Sequence, residues 1–211
     1  MPDPGSSLDE QVRAADPDRW LSSRFVADAR ARTDLIALYA FEAELLAIPT
    51  RVTQPLLAEM RYVWWREQMD GVFAGAARKG HPVLEALTDV VARRGLERAP
   101  FDALIAAHIG RVHGEPHDLD AFYAGPMQLA ANILGAPDAT AAVPAGRVWG
   151  LVQTGRFEDA RAALPEAGRA ARGLPVDAFA AALPAALARK PDAGPLEKRL
   201  RLLWAAVRGR L

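Results

Sequence analysis

Apolar side chains recur every three to four residues along most of the chain, and strict alternation of apolar and polar residues is almost absent. The first spacing is typical of α-helices and the second of β-strands. Proline and glycine divide the helical pattern into short segments. We therefore predict an all-α protein, a single-domain helical bundle over residues 7–211 that follows a flexible N-terminus at residues 1–6.

Capping residues and prolines predict where the first helices begin and end. Ser7 and Glu10 have the spacing of a capping box at the start of a short helix. Pro17 stands at the first position of a second helix, where its missing N–H costs nothing. Thr33 is predicted to cap a third helix, which Pro49 is predicted to end.

Two central helices are predicted at residues 34–48 and 55–73, because both segments are apolar around most of their circumference. Projection of the second segment at 3.6 residues per turn gives two neighbouring apolar stripes. One stripe contains Leu57, Met60, Trp64 and Gly71. The other contains Ala58, Tyr62, Trp65, Met69 and Val72. The prediction is that this helix lies in the core.

The second half of the chain reads as a series of shorter helices. Residues 118–135 are predicted to be helical with a break at Gly125 and Pro126, since proline removes a helix hydrogen bond. The alanine-rich remainder is predicted to divide at Gly155, Pro165, Gly173 and Pro191. The last helix carries an apolar face made of Leu200, Leu203, Trp204 and Val207.

The composition excludes several classes of function. The 26 basic residues balance 26 acidic ones, so no long-range field attracts nucleic acid, and no nucleic-acid partner is expected. The chain has no cysteine, which excludes disulfides, thiolate catalysis and cysteine-bound zinc. No apolar run resembles a signal peptide or a transmembrane segment. A cytoplasmic location is predicted, with a place at the membrane periphery as the alternative.

Arg61 raises the first chemical question, because it falls within an apolar stripe, with Gln68 two turns later. A guanidinium that faces a core needs a carboxylate, a phosphate or a route to water. Arg61 is therefore predicted to be buried or to line an internal cavity, paired with Glu44 or Glu42 of the preceding helix, and Glu44 is the preferred partner. Two interpretations stay open: a structural ion pair or solvated end, and an anion-binding arginine in a cavity.

Other charged groups have simpler interpretations. One stretch combines nitrogen and oxygen donors from His113, Glu115, His117, Asp118 and Asp120. These residues span a loop rather than one helix face, so their spacing fixes no metal geometry, and a polar loop is the preferred interpretation. The basic pairs Arg78-Lys79 and Arg93-Arg94 are interpreted as solvated surface.

Four sequence blocks carry a resemblance to a known family. They are DRWLSSRF (18–25), ALYAFEAEL (37–45), QPLLAEMRYVWWREQMDG (54–71) and HPVLEAL (81–87). In this order and spacing they resemble the squalene/phytoene synthase family. The chain is most similar to its short, aspartate-poor members, the bacterial phytoene-synthase-like proteins and the related assembly factors of mitochondrial respiratory complex I. The tail at 194–211 is similar as well.

The resemblance implies the all-α isoprenoid synthase fold and a central cavity. The family's enzymes condense two prenyl diphosphates head to head, and two aspartate-rich motifs on facing helices hold the Mg²⁺ that neutralises the departing diphosphate. Candidates for cavity or substrate-binding residues in this chain are Tyr39, Glu42, Glu44, Arg61, Trp65 and Gln68.

The sequence departs from the family at both aspartate motifs. The first motif should follow ALYAF by one to two turns, where this chain has Leu45, Leu46, Ala47, Ile48, Pro49 and Thr50. The nearest match to the second is Glu158-Asp159, in a segment that otherwise fits poorly. We therefore predict no catalytic residue, no metal ligand and no cofactor.

The predicted function is binding without catalysis. The chain would act as an assembly factor for a respiratory membrane complex, with a subunit of that complex as partner, or as a binder of a prenyl lipid or prenyl diphosphate. The alternative is a Mg²⁺-dependent prenyltransferase that condenses prenyl diphosphates head to head in isoprenoid biosynthesis, with Mg²⁺ as its cofactor.

Overall fold

A computed structural model describes residues 7–211, and within this range the chain forms α-helices joined by turns, with no β-strand. The helices are α1 (Leu8–Ala15), α2 (Pro17–Ser23), α3 (Ala29–Arg51), α4 (Pro55–Phe73), α5 (Pro82–Arg94), α6 (Ala99–Val112), α7 (Gly125–Ile133), α8 (Val143–Gln153), α9 (Phe157–Ala171), α10 (Val176–Ala182) and α11 (Pro195–Arg208). The all-α prediction is confirmed. The N-terminus predicted to be flexible, residues 1–6, lies outside the described residues.

Most helix starts are set locally, as the sequence predicts. The Ser7 hydroxyl accepts from the Glu10 N–H at 3.3 Å, and the Glu10 carboxylate accepts from the Ser7 N–H at 2.8 Å, which completes the capping box. Proline stands in the first turn of α4 and α5. Gly95 ends α5 in the left-handed conformation, with φ of 62°, which glycine adopts without a steric penalty.

The boundaries predicted for α3 were wrong at both ends. The helix begins at Ala29, because the Asp28 carboxylate accepts hydrogen bonds from the N–H groups of Arg30 and Ala31 at 2.7 and 2.9 Å. Thr33 therefore lies inside the helix rather than at its cap. At the other end, α3 continues through Pro49 to Arg51.

A side chain from the next helix explains why Pro49 does not end α3. A proline at position 49 has no N–H to donate to the carbonyl of Leu45, four residues earlier. The Tyr62 hydroxyl of α4 donates to that carbonyl instead, at 3.2 Å, and both residues are fully buried. The lost backbone hydrogen bond is thus replaced from a neighbouring helix.

The chain forms two compact units, Met1–Pro17 with Thr33–Asp118, and Asp18–Arg32 with Leu119–Leu211. The first unit contains most of α3 together with α4, α5 and α6, and the second contains α7 to α11. The prediction of one domain over residues 7–211 stays a prediction beside these two units.

In the first unit, α3 and α4 are adjacent helices, as predicted. The Phe41 ring of α3 meets the Trp65 ring of α4 edge to face, with centroids 5.4 Å apart, and Phe101 of α6 packs on Phe41 at 5.7 Å. The buried face of α4 is the stripe of Ala58, Tyr62, Trp65, Met69 and Val72. The other predicted stripe is largely at the surface, where Leu57 and Met60 are exposed and Trp64 is half-buried.

In the second unit, the break predicted at Gly125 and Pro126 is only a change of helix type, because the backbone stays helical through both residues. Asp120–Ala124 forms a π-helical turn that leads into α7 at Gly125. Helix α8 crosses this turn closely through its glycines: a Cβ on Gly146 would lie 2.5 Å from Cα of Ala124, and one on Gly150 would lie 2.5 Å from the Tyr123 ring. At Gly146, where the contact is between two backbones, only glycine fits.

The alanine-rich C-terminal region is helical with fewer breaks than predicted. Pro165 lies inside α9 rather than between helices, so that predicted division was wrong. A 3₁₀ segment, Leu183–Arg189, follows α10 and is almost entirely buried. None of the helices described here combines the length and hydropathy that crossing a membrane requires.

Candidate functional site

The segment of α3 where the first aspartate motif is expected is apolar where it meets the core. Leu45 and Ile48 are buried, and the carbonyl of Leu45 accepts from Tyr62. Leu46 and Thr50 lie on the exposed side, where the Thr50 hydroxyl donates to the Ala47 carbonyl at 2.8 Å. The expected positions, 45–50, thus present no carboxylate.

The paired tryptophans of α4 belong to an aromatic cluster with His81. The Trp64 and Trp65 rings meet edge to face at 5.2 Å, and the His81 ring lies 5.7 Å from the first and 5.3 Å from the second. His81 precedes α5, and burial lowers the pKa of its imidazole, so the ring packs as a neutral group. This cluster ties α4 to the start of α5 and supports the core-filling interpretation of the tryptophans. The role of Trp65 in a cavity stays a prediction.

The prediction that Arg61 is buried was wrong, since its side chain is exposed. It lies beside Leu57 and Met60, as projected, but this stripe faces away from the core. Glu44 forms its ion pair with Arg51 of its own helix rather than with an arginine of α4, and Glu44 Oε2 lies 3.0 Å from Arg51 Nη1. A helical projection gives the relative directions of side chains and not which stripe is buried.

Three further residues predicted to line a binding cavity lie in the first unit, and they differ in how deeply they are buried. Tyr39 and Glu42 are buried side chains of α3, 2% and 4% exposed, whereas Gln68 of α4 is half-buried. A buried carboxylate is costly and marks Glu42 as the most unusual of the sequence-derived candidates. The assignment of all three to a binding cavity stays a prediction.

A stacked pair of polar rings in the first unit was missed by sequence reasoning. Tyr62 of α4 and His108 of α6 lie 5.0 Å apart with their planes 20° from parallel, and both are buried. Burial lowers the pKa of His108 to about 4 and raises the pKa of Tyr62 to about 12, so both rings are neutral near pH 7. His108 stands in the apolar run of α6, where periodicity predicts only a core position.

The interpretation of Arg93 and Arg94 as solvated surface was incomplete, because both partly exposed side chains also bind a buried carboxylate. Both guanidinium groups bind the carboxylate of Asp34, which is 2% exposed, and Arg94 Nε lies 2.8 Å from Asp34 Oδ2. The Asp34 side chain points from α3 toward the last turn of α5. A buried carboxylate held by two arginines fixes the register of the two helices, and its partners lie some 60 positions along the chain.

The donor-rich stretch around residues 113–120 is divided among separate partners. His113 Nε2 lies 3.3 Å from Glu59 Oε2. Asp120 forms a two-pronged ion pair with Arg147 at 2.6 and 2.8 Å, and this guanidinium lowers the pKa of the Asp120 carboxyl. Across the part of the chain that the structure describes, no three histidine, aspartate or glutamate side chains converge closely enough to hold a metal ion.

The nearest match to the second aspartate motif lies at the start of α9 in the second unit. Arg161 pairs with Glu158, and Arg156 lies 2.8 Å from Asp159. All four side chains are exposed. Acidic residues in the first turn complement the partial positive charge of the helix N-terminus, which is a structural reason for both to be here.

Comparison with known proteins identifies the family. A family model described as squalene/phytoene synthase matches residues 12–156, well over half of the chain. The chain belongs to the squalene/phytoene synthase family, and its all-α architecture agrees with the isoprenoid synthase fold that this membership implies. Searches of curated proteins and of solved structures found no significant match.

At the positions where the two aspartate motifs are expected, the donors of this chain do not fit the Mg²⁺ ions of the family's enzymes. Such ions take carboxylate oxygens from two clusters, and the first of these is replaced by the apolar segment Leu45–Thr50. At the nearest match to the second, Glu158 and Asp159 are already paired with arginines.

Proposed function

We propose that this chain is a non-catalytic member of the squalene/phytoene synthase family that acts by binding. The observation that supports this most is the segment from Leu45 to Thr50, whose buried side chains are apolar where the first aspartate motif is expected. Ionisation of a prenyl diphosphate is helped mainly by cations that neutralise the leaving group. The chain keeps the scaffold of the family without the ligands for those cations.

The carboxylates that precede the motif are poor replacements for it. Glu42 and Glu44 are two residues apart, so their directions on the helix differ by about 200°. One is buried, and the other is engaged by Arg51 at 3.0 Å. Arginines cannot fill the role either, because a guanidinium supplies charge and donors but no lone pair for a metal.

The partner class follows from the resemblance to short, aspartate-poor family members. We propose that the chain is of this subtype and that its partner is a subunit of a respiratory membrane complex during assembly. A second candidate is a prenyl lipid or prenyl diphosphate held without turnover. It is favoured by family membership, because the scaffold serves enzymes that bind prenyl chains.

A calorimetric titration with farnesyl diphosphate separates these candidates. We expect that Mg²⁺ in place of EDTA changes the affinity by no more than about threefold, because the expected motif positions offer no carboxylate cluster to hold Mg²⁺ against the diphosphate. A dissociation constant that falls more than about tenfold with Mg²⁺ would contradict the proposal. Tight binding in EDTA would favour the lipid binder, and no binding in either buffer would favour the assembly role.

A further inference from the structure

The last helix, α11, carries apolar side chains on two opposite faces. Leu202 and Ala205 are buried in the second unit, and Lys198 anchors this side through an ion pair with Asp18 at 2.7 Å. The opposite face is uncovered, with Leu196 71%, Leu200 57%, Leu203 47%, Trp204 60% and Val207 71% exposed. We call these five side chains the α11 stripe.

The α11 stripe is one continuous surface rather than a scatter of single residues. At 100° per residue its members fall within an arc of about 100°, centred nearly opposite Leu202 and Ala205. From Leu196 to Val207 the stripe extends for about 17 Å along the helix. Single exposed apolar residues are ordinary on a protein surface, but a contiguous stripe of this kind marks an interaction site.

Positive charge is concentrated around this stripe. Residues 195–211 contain five basic residues and one acidic residue, although the whole chain is neutral. One of the five, Lys198, is paired with Asp18 on the buried side, which leaves a formal charge of +3 for the rest of the segment. In projection Arg199 borders the stripe on one side and Arg208 on the other. The Arg208 guanidinium carbon lies 4.1 Å above the Trp204 ring, so an arginine and a tryptophan share the polar–apolar boundary.

We propose that α11 is an interfacial helix that binds the surface of an anionic phospholipid bilayer. The α11 stripe would enter the boundary between headgroups and acyl chains, and the bordering arginines would contact lipid phosphates. This combination of leucine and tryptophan on one face with arginine beside it is the pattern of helices that lie in the membrane plane. The buried face keeps α11 attached to the protein, which then binds peripherally.

The charge and the size of the surface favour a bilayer over a second copy of the chain. Two copies that met through their stripes would bring two regions of net positive charge together, which is unfavourable. A stable dimer also needs roughly 800 Å² and about 20 residues from each partner, and the stripe offers five side chains. The proposal concerns the location of the protein and does not depend on whether a prenyl diphosphate is turned over.

Vesicle co-sedimentation of the full chain tests the proposal. We expect binding to vesicles of mixed phosphatidylglycerol and phosphatidylcholine, and much weaker binding to phosphatidylcholine alone or at high salt. The double variant Leu200→Gln with Trp204→Gln should bind anionic vesicles at least about tenfold more weakly. The matched control is Leu56→Gln with Met60→Gln, which removes two equally exposed apolar side chains from α4 and should bind as the wild type does.

A second pair of substitutions tests the contribution of the bordering arginines to membrane binding. Arg199→Gln with Arg208→Gln should weaken binding to anionic vesicles by about tenfold and remove most of its salt dependence. All the substituted side chains are exposed, so circular dichroism should show unchanged thermal unfolding. Absence of vesicle binding by the wild type, or equal binding by the α11 and α4 variants, would overturn the proposal. So would self-association that the α11 variant abolishes.

Discussion

Replacement of Gly146 by alanine is expected to lower the unfolding temperature by roughly 10 °C. The new Cβ would lie 2.5 Å from Cα of Ala124 and 2.8 Å from the carbonyl oxygen of Tyr123, which are backbone atoms that cannot rotate away. Helix α8 would have to move off the π-helical turn. Overpacking of this kind costs about 3 kcal/mol, and each kcal/mol lowers the unfolding temperature of a protein of this size by roughly 2–4 °C.

Gly168→Ala is the matched control for this substitution. Gly168 is also helical, in α9, but the nearest atom to its added Cβ is Cβ of Leu211 at 4.0 Å, an ordinary contact. Alanine is the better helix former by about 1 kcal/mol, so this variant should unfold at the same temperature or slightly higher. Thermal unfolding followed by circular dichroism measures both. Equal unfolding temperatures for the two variants would contradict the close crossing of α8 over the π-helical turn.

Acidification is expected to destabilise the protein through His108. Its folded-state pKa is about 4 and its ordinary value is 6.5, so between these values the unfolded chain binds a proton that the folded chain does not. The neutral ring therefore makes its full contribution to the free energy of unfolding above pH 6.5, and this contribution is lost as the pH falls toward 4. The loss attributable to this ring is about 2 kcal/mol by pH 5 and about 3 kcal/mol at most.

Urea unfolding at pH 7 and pH 5 measures this effect against two variants. His108→Phe keeps a ring against Tyr62 and removes the titration, so its stability should fall less than that of the wild type on acidification. His113→Gln removes an exposed histidine and should behave as the wild type does. His81 and His117, whose pKa values burial also lowers, are present in all three proteins and cancel from the comparison. An identical loss in His108→Phe would contradict the buried neutral ring.

The features that sequence predicted correctly depend on residues close together in the chain. Pro55 and Pro82 mark helix starts because proline lacks the N–H that the first turn does not use, whatever the rest of the protein does. The capping box at Ser7 is equally local. The helix end predicted at Pro49 was wrong because a residue from another helix intervenes. Tyr62 of α4 donates to the Leu45 carbonyl, which the proline cannot serve, and α3 continues.

The candidate site was less predictable because its chemistry depends on distant partners. The sequence gives no sign that Arg93 and Arg94 bind a buried carboxylate, because Asp34 lies about 60 positions away in the chain. Arg61 lies in an apolar stripe, as projected, but α4 has two such stripes and only tertiary packing decides which is buried. The absence of carboxylates from residues 45–50 was predictable, because it depends only on the residue types in the sequence.

Product analysis after incubation with farnesyl or geranylgeranyl diphosphate and Mg²⁺ tests the central claim most directly. The purified protein is predicted to release no squalene, phytoene or presqualene-type intermediate. The reason is that buried Leu45 and Ile48, with Ala47 between them, stand where carboxylates would have to hold the ions that neutralise a departing diphosphate. Any of these products, formed in amounts that exceed the protein and that disappear with EDTA, would contradict the account and establish a working prenyltransferase.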